Sequence, residues 1–128
     1  MPQGVYISHS RSDNAWCDTF VRALRPFNIE IWYDEQGEYA GWVQTTKDAL
    51  QSKQIFIVVL SLTAWGSEWV REEINYAFLF HRTIIGLVIG KPPLTGEIVG
   101  AELLDITNLE AGVVAKMLAD QLGFVSER

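Results

Sequence analysis

Ile55-Phe56-Ile57-Val58-Val59-Leu60 is the longest uninterrupted apolar run in the chain, six residues with no polar break. A strand with one face in water alternates apolar and polar side chains, whereas a run that is apolar at every position must be covered on both faces. Six residues suit a strand and fall far short of the ~20 that a helix needs to cross a bilayer. One such strand demands a parallel sheet with helices packed on both sides. The rest of the chain must therefore supply strands and helices in alternation.

It does. Gly4-Val5-Tyr6-Ile7-Ser8 is short, apolar and partly β-branched, which predicts the first strand. The polar turn His9-Ser10-Arg11-Ser12-Asp13 follows, and Ser12 or Asp13 is placed to cap a helix with apolar spacing Trp16, Phe20, Leu24. Pro26 ends it. Ile29-Glu30-Ile31-Trp32-Tyr33 alternates and predicts strand two, closed by Asp34 and a loop through Gly37 and Gly41. A shorter helix runs from Trp42 to Leu50. After the central strand, Ser61 to Gly66 reads as an exit loop, Ser67 to about Arg82 as a helix, and Thr83 to Ile89 as strand four. Gly90 to Gly96 must be irregular, Leu103 to Ile106 reads as an edge strand, and Val113 to Leu122 as a last helix stopped by Gly123. With no repeat, linker or low-complexity tract, the expectation is one domain over 1–128, a flavodoxin-like doubly wound parallel sheet of five strands in the order 2-1-3-4-5. That order opens a crevice at the carboxyl ends of strands one and three, where the winding reverses. Ser8 to Ser12, the Asp34 loop and the start of the Ser67 helix all arrive there.

The Ser67 helix carries an anomaly. With Val70 at 0° on a wheel of ~100° per residue, Ala77 falls near ~−20°, Ile74 near ~40°, Phe78 near ~80°, Phe80 near ~−80° and Trp69 near ~−100°. Glu73 falls near ~−60°, inside that apolar arc, while Glu72 at ~−160° lies on the polar side. A carboxylate among aromatics loses hydration, and that needs a reason. The plainer alternative is a boundary glutamate whose head passes the stripe to reach solvent.

Composition narrows the function classes. A net charge of −6 without a basic cluster argues against a nucleic-acid or anionic-membrane surface. Met1-Pro2-Gln3 leads directly into the first strand, leaving no room for a signal peptide. The lone Cys17 excludes an internal disulfide, suits a reducing, cytoplasmic compartment and reads as a packed thiol. His9 and His81 are too isolated for a metal site, and surface or capping roles suit both. The first loop lacks the acidic cluster of a phosphoacceptor receiver and the glycine of a flavin phosphate loop, and no Walker or dinucleotide fingerprint occurs.

Three motifs in order point to a family. Tyr6-Ile7-Ser8-His9-Ser10-Arg11-Ser12-Asp13 resembles the first box of TIR (Toll/interleukin-1 receptor) domains. Ile29-Glu30-Ile31-Trp32-Tyr33-Asp34 is similar to the family's second strand and its terminal Asp. Val58-Val59-Leu60-Ser61, then Ser67-Glu68-Trp69-Val70-Arg71-Glu72-Glu73-Ile74, resembles its strand-then-helix segment. The likeness runs from about Val5 to Ile89. The second-box loop departs from it, having Gly37 and Gly41 but no proline.

Some TIR domains cleave the nicotinamide–ribose bond of NAD+ with a glutamate four residues after the third-box Trp; others are adaptors that only bind other TIR domains. Trp69 and Glu73 have the enzymatic spacing. The resemblance therefore implies a prokaryotic, cytoplasmic NAD+ hydrolase with Glu73 catalytic, working in defence, immune or cell-death signalling and activated by self-association. It needs no cofactor or metal, NAD+ being the substrate, and has neither nucleic acid nor membrane as partner. Trp69, Arg11, Ser10, His9, Asp34, Glu38 and Tyr39 are then expected to line the nucleotide cleft. Core packing for Trp69, a solvated loop charge for Arg11 and a turn-closing carboxylate for Asp34 are the structural alternatives. The rival function is a non-enzymatic adaptor module.

Overall fold

The computed structural model describes residues 4–27, 29–33, 43–90 and 101–124, with side chains from 48 onward in the third stretch. Strand β1 (Gly4–Ser8) leads through a 3-10 turn (Arg11–Asp13) into helix α1 (Asn14–Leu24). Strand β2 (Glu30–Tyr33), helix α2 (Val43–Ser52) and strand β3 (Ile55–Leu60) follow. Then come the short helix α3 (Leu62–Trp65), helix α4 (Glu68–Leu79), strand β4 (Thr83–Val88), strand β5 (Ala101–Asp105) and helix α5 (Ala111–Leu122). The five strands form a sheet in the order β2-β1-β3-β4-β5, and every pairing is parallel. The doubly wound architecture expected from the apolar run is the one observed.

The run itself explains the two layers. All six residues of β3 are buried, and they divide by parity. Ile55, Ile57 and Val59 join Val5, Ile7, Ile85 and Leu87 in one core with α1 (Cys17, Phe20, Leu24) and α5 (Val114, Leu118). Phe56, Val58 and Leu60 join Tyr6, Ile84 and Val88 in a second core with Leu50 of α2, Ala64 of α3, and Val70 and Ala77 of α4. Each large aliphatic or aromatic side chain removed from water there contributes roughly 1.5–3 kcal/mol. Having no wet face, β3 can sit only at the centre of the sheet.

Four local expectations need correction. The Ser61–Gly66 stretch is a one-turn helix, with the Ser61 Oγ accepting from the Ala64 N–H at 3.2 Å, so a serine read as loop is a cap. Neither Ser12 nor Asp13 caps α1 by its side chain: Ser12 lies inside the 3-10 turn, and Asp13 stands at the cap position without a cap hydrogen bond. Phe78 is 48% exposed, because the buried stripe of α4 is the narrow set Val70, Glu73 and Ala77, about 110° away on the wheel. Strand five is Ala101–Asp105, two residues earlier at its start than read from the sequence, and α5 starts at Ala111. Gly123 ends α5 in the left-handed region at φ 76°, as a C-terminal glycine does. Of the segment 90–96 only Gly90 falls within the described residues, also left-handed at φ 80°. No helix among the described residues is long and apolar enough to cross a membrane.

Cys17 is fully buried in the α1 core, and that burial pushes its thiol above the ordinary range, with the Asp13 and Asp18 carboxylates adding to the effect. The folded state thus holds the thiol proton where the unfolded chain releases it, so this group's contribution to stability is intact below pH about 8.5 and falls as pH rises past it. In native protein at pH 8, Cys17 should resist a disulfide-exchange thiol reagent and should react fully once denatured. Rapid stoichiometric labelling of the native protein would contradict this placement.

Candidate active site

Helix α4 runs back against the strands, so its first two turns lie at their carboxyl ends. Ser67 starts it, its Oγ accepting from the Val70 N–H at 3.2 Å. Trp69 sits in the first turn, half-buried, and Glu73 one turn later on the same side. Glu73 is only 4% exposed. The boundary-glutamate alternative therefore fails: Glu73 lies in the buried stripe between Val70 and Ala77 and turns its carboxylate onto β1.

What receives the carboxylate is the end of β1. Ser8, the last residue of that strand, donates from Oγ to Glu73 Oε1 at 2.7 Å. Tyr6, two residues earlier and so on the same face, donates its hydroxyl to Glu73 Oε2. Both donors are buried, Tyr6 at 2% and Ser8 at 1% exposure. The Tyr6 ring lies near-parallel to two neighbours: Trp32 on β2, centroid separation 6.1 Å, and Phe56 on β3, 5.5 Å. Packed against these rings, the phenol has little freedom to turn away from Glu73. Each carboxylate oxygen thus has one hydroxyl donor from the strand that borders the crevice.

The loop after β1 is held by a different acid. Asp13 Oδ2 accepts from Ser10 Oγ at 3.0 Å and from Ser61 Oγ at 2.6 Å. It ties the exit of β1 to the exit of β3 across the point where the winding reverses. Ser10, expected to line the cleft, is fully buried and spends its hydroxyl on this tie. His9, expected at the surface or in a cap and, from the resemblance, in the cleft lining, is 2% exposed; its Nε2 lies 2.7 Å from Asn14 Oδ1 and its ring stacks on Tyr33 at 4.9 Å. Tyr33 in turn donates to Asp18 Oδ1 at 2.6 Å. His9 is thereby packed between the start of α1 and the end of β2. Arg11 is exposed in the 3-10 turn that follows β1. Asp34, Glu38 and Tyr39 lie outside the described residues.

The structure therefore gathers Glu73, Ser8 and Tyr6 at one place, with Trp69 one turn before Glu73 on α4 and His9 and Ser10 next to Ser8 in the chain, bonded to Asn14 and Asp13. Tyr6 and the Asp13–Ser61 tie were not read from the sequence. A signal for Tyr6 existed: a carboxylate in a buried stripe must find donors, and Tyr6 and Ser8 are the hydroxyl-bearing residues on one face of the adjacent strand.

Comparison with known proteins completes the description. No curated protein matches the sequence. In fold the chain is similar to the CMP N-glycosidase BcmB of Clostridium botulinum, with a TM-score of 0.65 at 14% identity, over 91% of this chain and 98% of that one. It is also similar to the TIR domains of the activated Roq1 resistosome, which directly recognises the pathogen effector XopQ, with a TM-score of 0.60 at 15% identity, over 93% of this chain and 71% of that one. The family model of the TIR domain matches residues 5–118, nearly the whole sheet and its helices. The chain belongs to the TIR domain family.

Proposed function

We propose that this TIR domain is an N-glycoside hydrolase that cleaves the nicotinamide–ribose bond of NAD+, with Glu73 as the catalytic carboxylate. The observation that carries the reading is the burial of Glu73 at the carboxyl ends of the strands with a hydroxyl donor on each oxygen. A purely structural glutamate has no need of that position, since an apolar residue would fill it at lower cost in desolvation.

The chemistry asks little else of the protein. The C1′–N1 bond breaks with its electron pair passing to the pyridinium nitrogen, so nicotinamide leaves neutral and no acid need protonate it. Tyr6 and Ser8 each donate to one oxygen of Glu73, which suits a carboxylate serving as acceptor and counter-charge. At this place the carboxylate can accept from the ribose hydroxyls and stabilise the oxocarbenium-like transition state. Water then adds to C1′ and gives up a proton, yielding ADP-ribose; attack by the adenine ring instead yields a cyclised product. Trp69, half-buried one turn before Glu73, offers a ring face to the nicotinamide or ribose. Exposed Arg11 offers charge to the pyrophosphate.

BcmB, by its name, acts on the N-glycosidic bond of CMP, and cytosine, uncharged in its nucleotide where nicotinamide is a pyridinium cation, needs protonation to leave as a neutral base. In this reading the leaving group favours NAD+ over CMP, because a carboxylate that accepts from two hydroxyls suits a base that departs without needing a proton. Purified protein incubated with NAD+ and, separately, with CMP should release nicotinamide and no cytosine. Family membership also fits TIR–TIR association, and in this reading association activates: nicotinamide release per molecule should rise with protein concentration. Cytosine release would reassign the substrate. Release of neither base at any concentration would overturn the enzymatic reading in favour of an adaptor module.

A further inference from the structure

Resting on that reading, we infer that Tyr6 and Ser8 are positioning residues for Glu73, and that Tyr6 in particular sets the carboxylate's orientation for the reaction. The geometry separates this role from simple packing. The Tyr6 ring belongs to the core through its contacts with Trp32 and Phe56, while its hydroxyl makes a bond to Glu73 Oε2 that the ring contacts do not require. Ser8 fixes the other oxygen from the same strand face, two residues away. Two donors on one rigid strand, each holding a different oxygen, fix both the place and the plane of the carboxylate, which one donor cannot do. A carboxylate free to rotate among its rotamers would meet the two ribose hydroxyls correctly only part of the time.

Removing one donor should therefore lower turnover without weakening substrate capture, because the groups that bind the remainder of the nucleotide are untouched. Tyr6→Phe deletes a single oxygen and keeps the stacked ring. It should reduce kcat for nicotinamide release by 10-fold or more while KM stays within about 2-fold, with circular dichroism unchanged. Ser8→Ala should show the same split, with rescue by Ser8→Thr, which restores a hydroxyl at that position. In a Glu73→Gln background, Tyr6→Phe should produce no further loss of the residual rate, since it acts through the group already removed.

The outcomes separate the two claims. An inactive wild-type protein takes down the proposed function and this role with it. An active wild type whose Tyr6→Phe and Ser8→Ala variants fold normally and keep kcat overturns the positioning role and leaves Glu73 standing. A rise in kcat in either variant also overturns it, because the hydroxyls would then be competing with substrate for the carboxylate. Should Tyr6→Phe fail to fold, Ser8→Ala with its Ser8→Thr rescue decides alone.

Discussion

Glu73→Gln is expected to abolish nicotinamide release, a fall of roughly 10²–10³-fold or more, while leaving the fold in place. The amide matches the carboxylate in shape, so Val70 and Ala77 keep their neighbours in the buried stripe of α4. Its carbonyl oxygen still accepts from one of the two hydroxyls, and the other hydroxyl, Tyr6 or Ser8, can rotate to accept from the amide nitrogen. The cost in stability should therefore be near ~1 kcal/mol, the order of one weakened hydrogen bond. What the variant lacks is the negative charge opposite the forming oxocarbenium ion. Glu72→Gln is the internal control: that side chain is exposed on the outer face of the same helix turn, and activity should stay within about 2-fold. Initial rates of nicotinamide release and a melting curve for each variant make the check. Full activity in Glu73→Gln, or equal loss in both variants, would remove Glu73 from the mechanism.

The contrast between Glu73 and Glu72 shows what the sequence makes legible. Helical periodicity alone separates the two acids by about 100° and puts one of them in the apolar arc. The layered sheet was legible for the same kind of reason: a strand apolar at every position has one place to go, and β3 went there. Periodicity does not say where an arc is centred. The wheel of α4 could not distinguish a stripe reaching Phe78 from one ending near Ile74, because the apolar residues span more than the buried width. The sheet chose the narrower stripe, leaving Phe78 in water and drawing Glu73 inward.

Polar partnerships across the crevice were less legible, since they depend on distances between elements far apart in sequence. Asp13 and Ser61 are separated by 48 positions, and Tyr6 and Glu73 by 67. Local rules assign Asp13 to a helix cap, a role within a few residues of it. They give Ser61 nothing beyond a turn. The tertiary fold overrode the first assignment because a buried serine hydroxyl at Ser10 needed an acceptor, and Asp13 was in reach.

That override leads to the second large effect, expected for Asp13→Ala. Deleting this side chain removes the acceptor of two hydroxyls, Ser10 and Ser61, and the covalent path between them is 51 residues of chain. Ser10 is fully buried, so its hydroxyl would be left without the carboxylate in a place water does not reach. An orphaned buried donor costs ~1–3 kcal/mol, and the second broken bond, a charge-assisted one, adds a comparable amount. A total near ~3 kcal/mol corresponds to a fall in Tm of roughly 10 °C for a domain of this size. The site should feel it as well. The tie joins the ends of β1 and β3, and β1 carries both donors to Glu73, so slackness there displaces Ser8 relative to α4 and should lower kcat by about 10-fold. Asp13→Asn separates charge from geometry: one amide oxygen has lone pairs for both hydroxyls, and that variant should recover at least half of the lost stability. Ser61→Ala should lose less than Asp13→Ala, and the double variant less than the sum of the two, because the two side chains share one bond. A Tm for Asp13→Ala within about 2 °C of the wild type would mean that the exits of β1 and β3 are held together without this carboxylate, and the coupling of Asp13 to the catalytic face would fall with it.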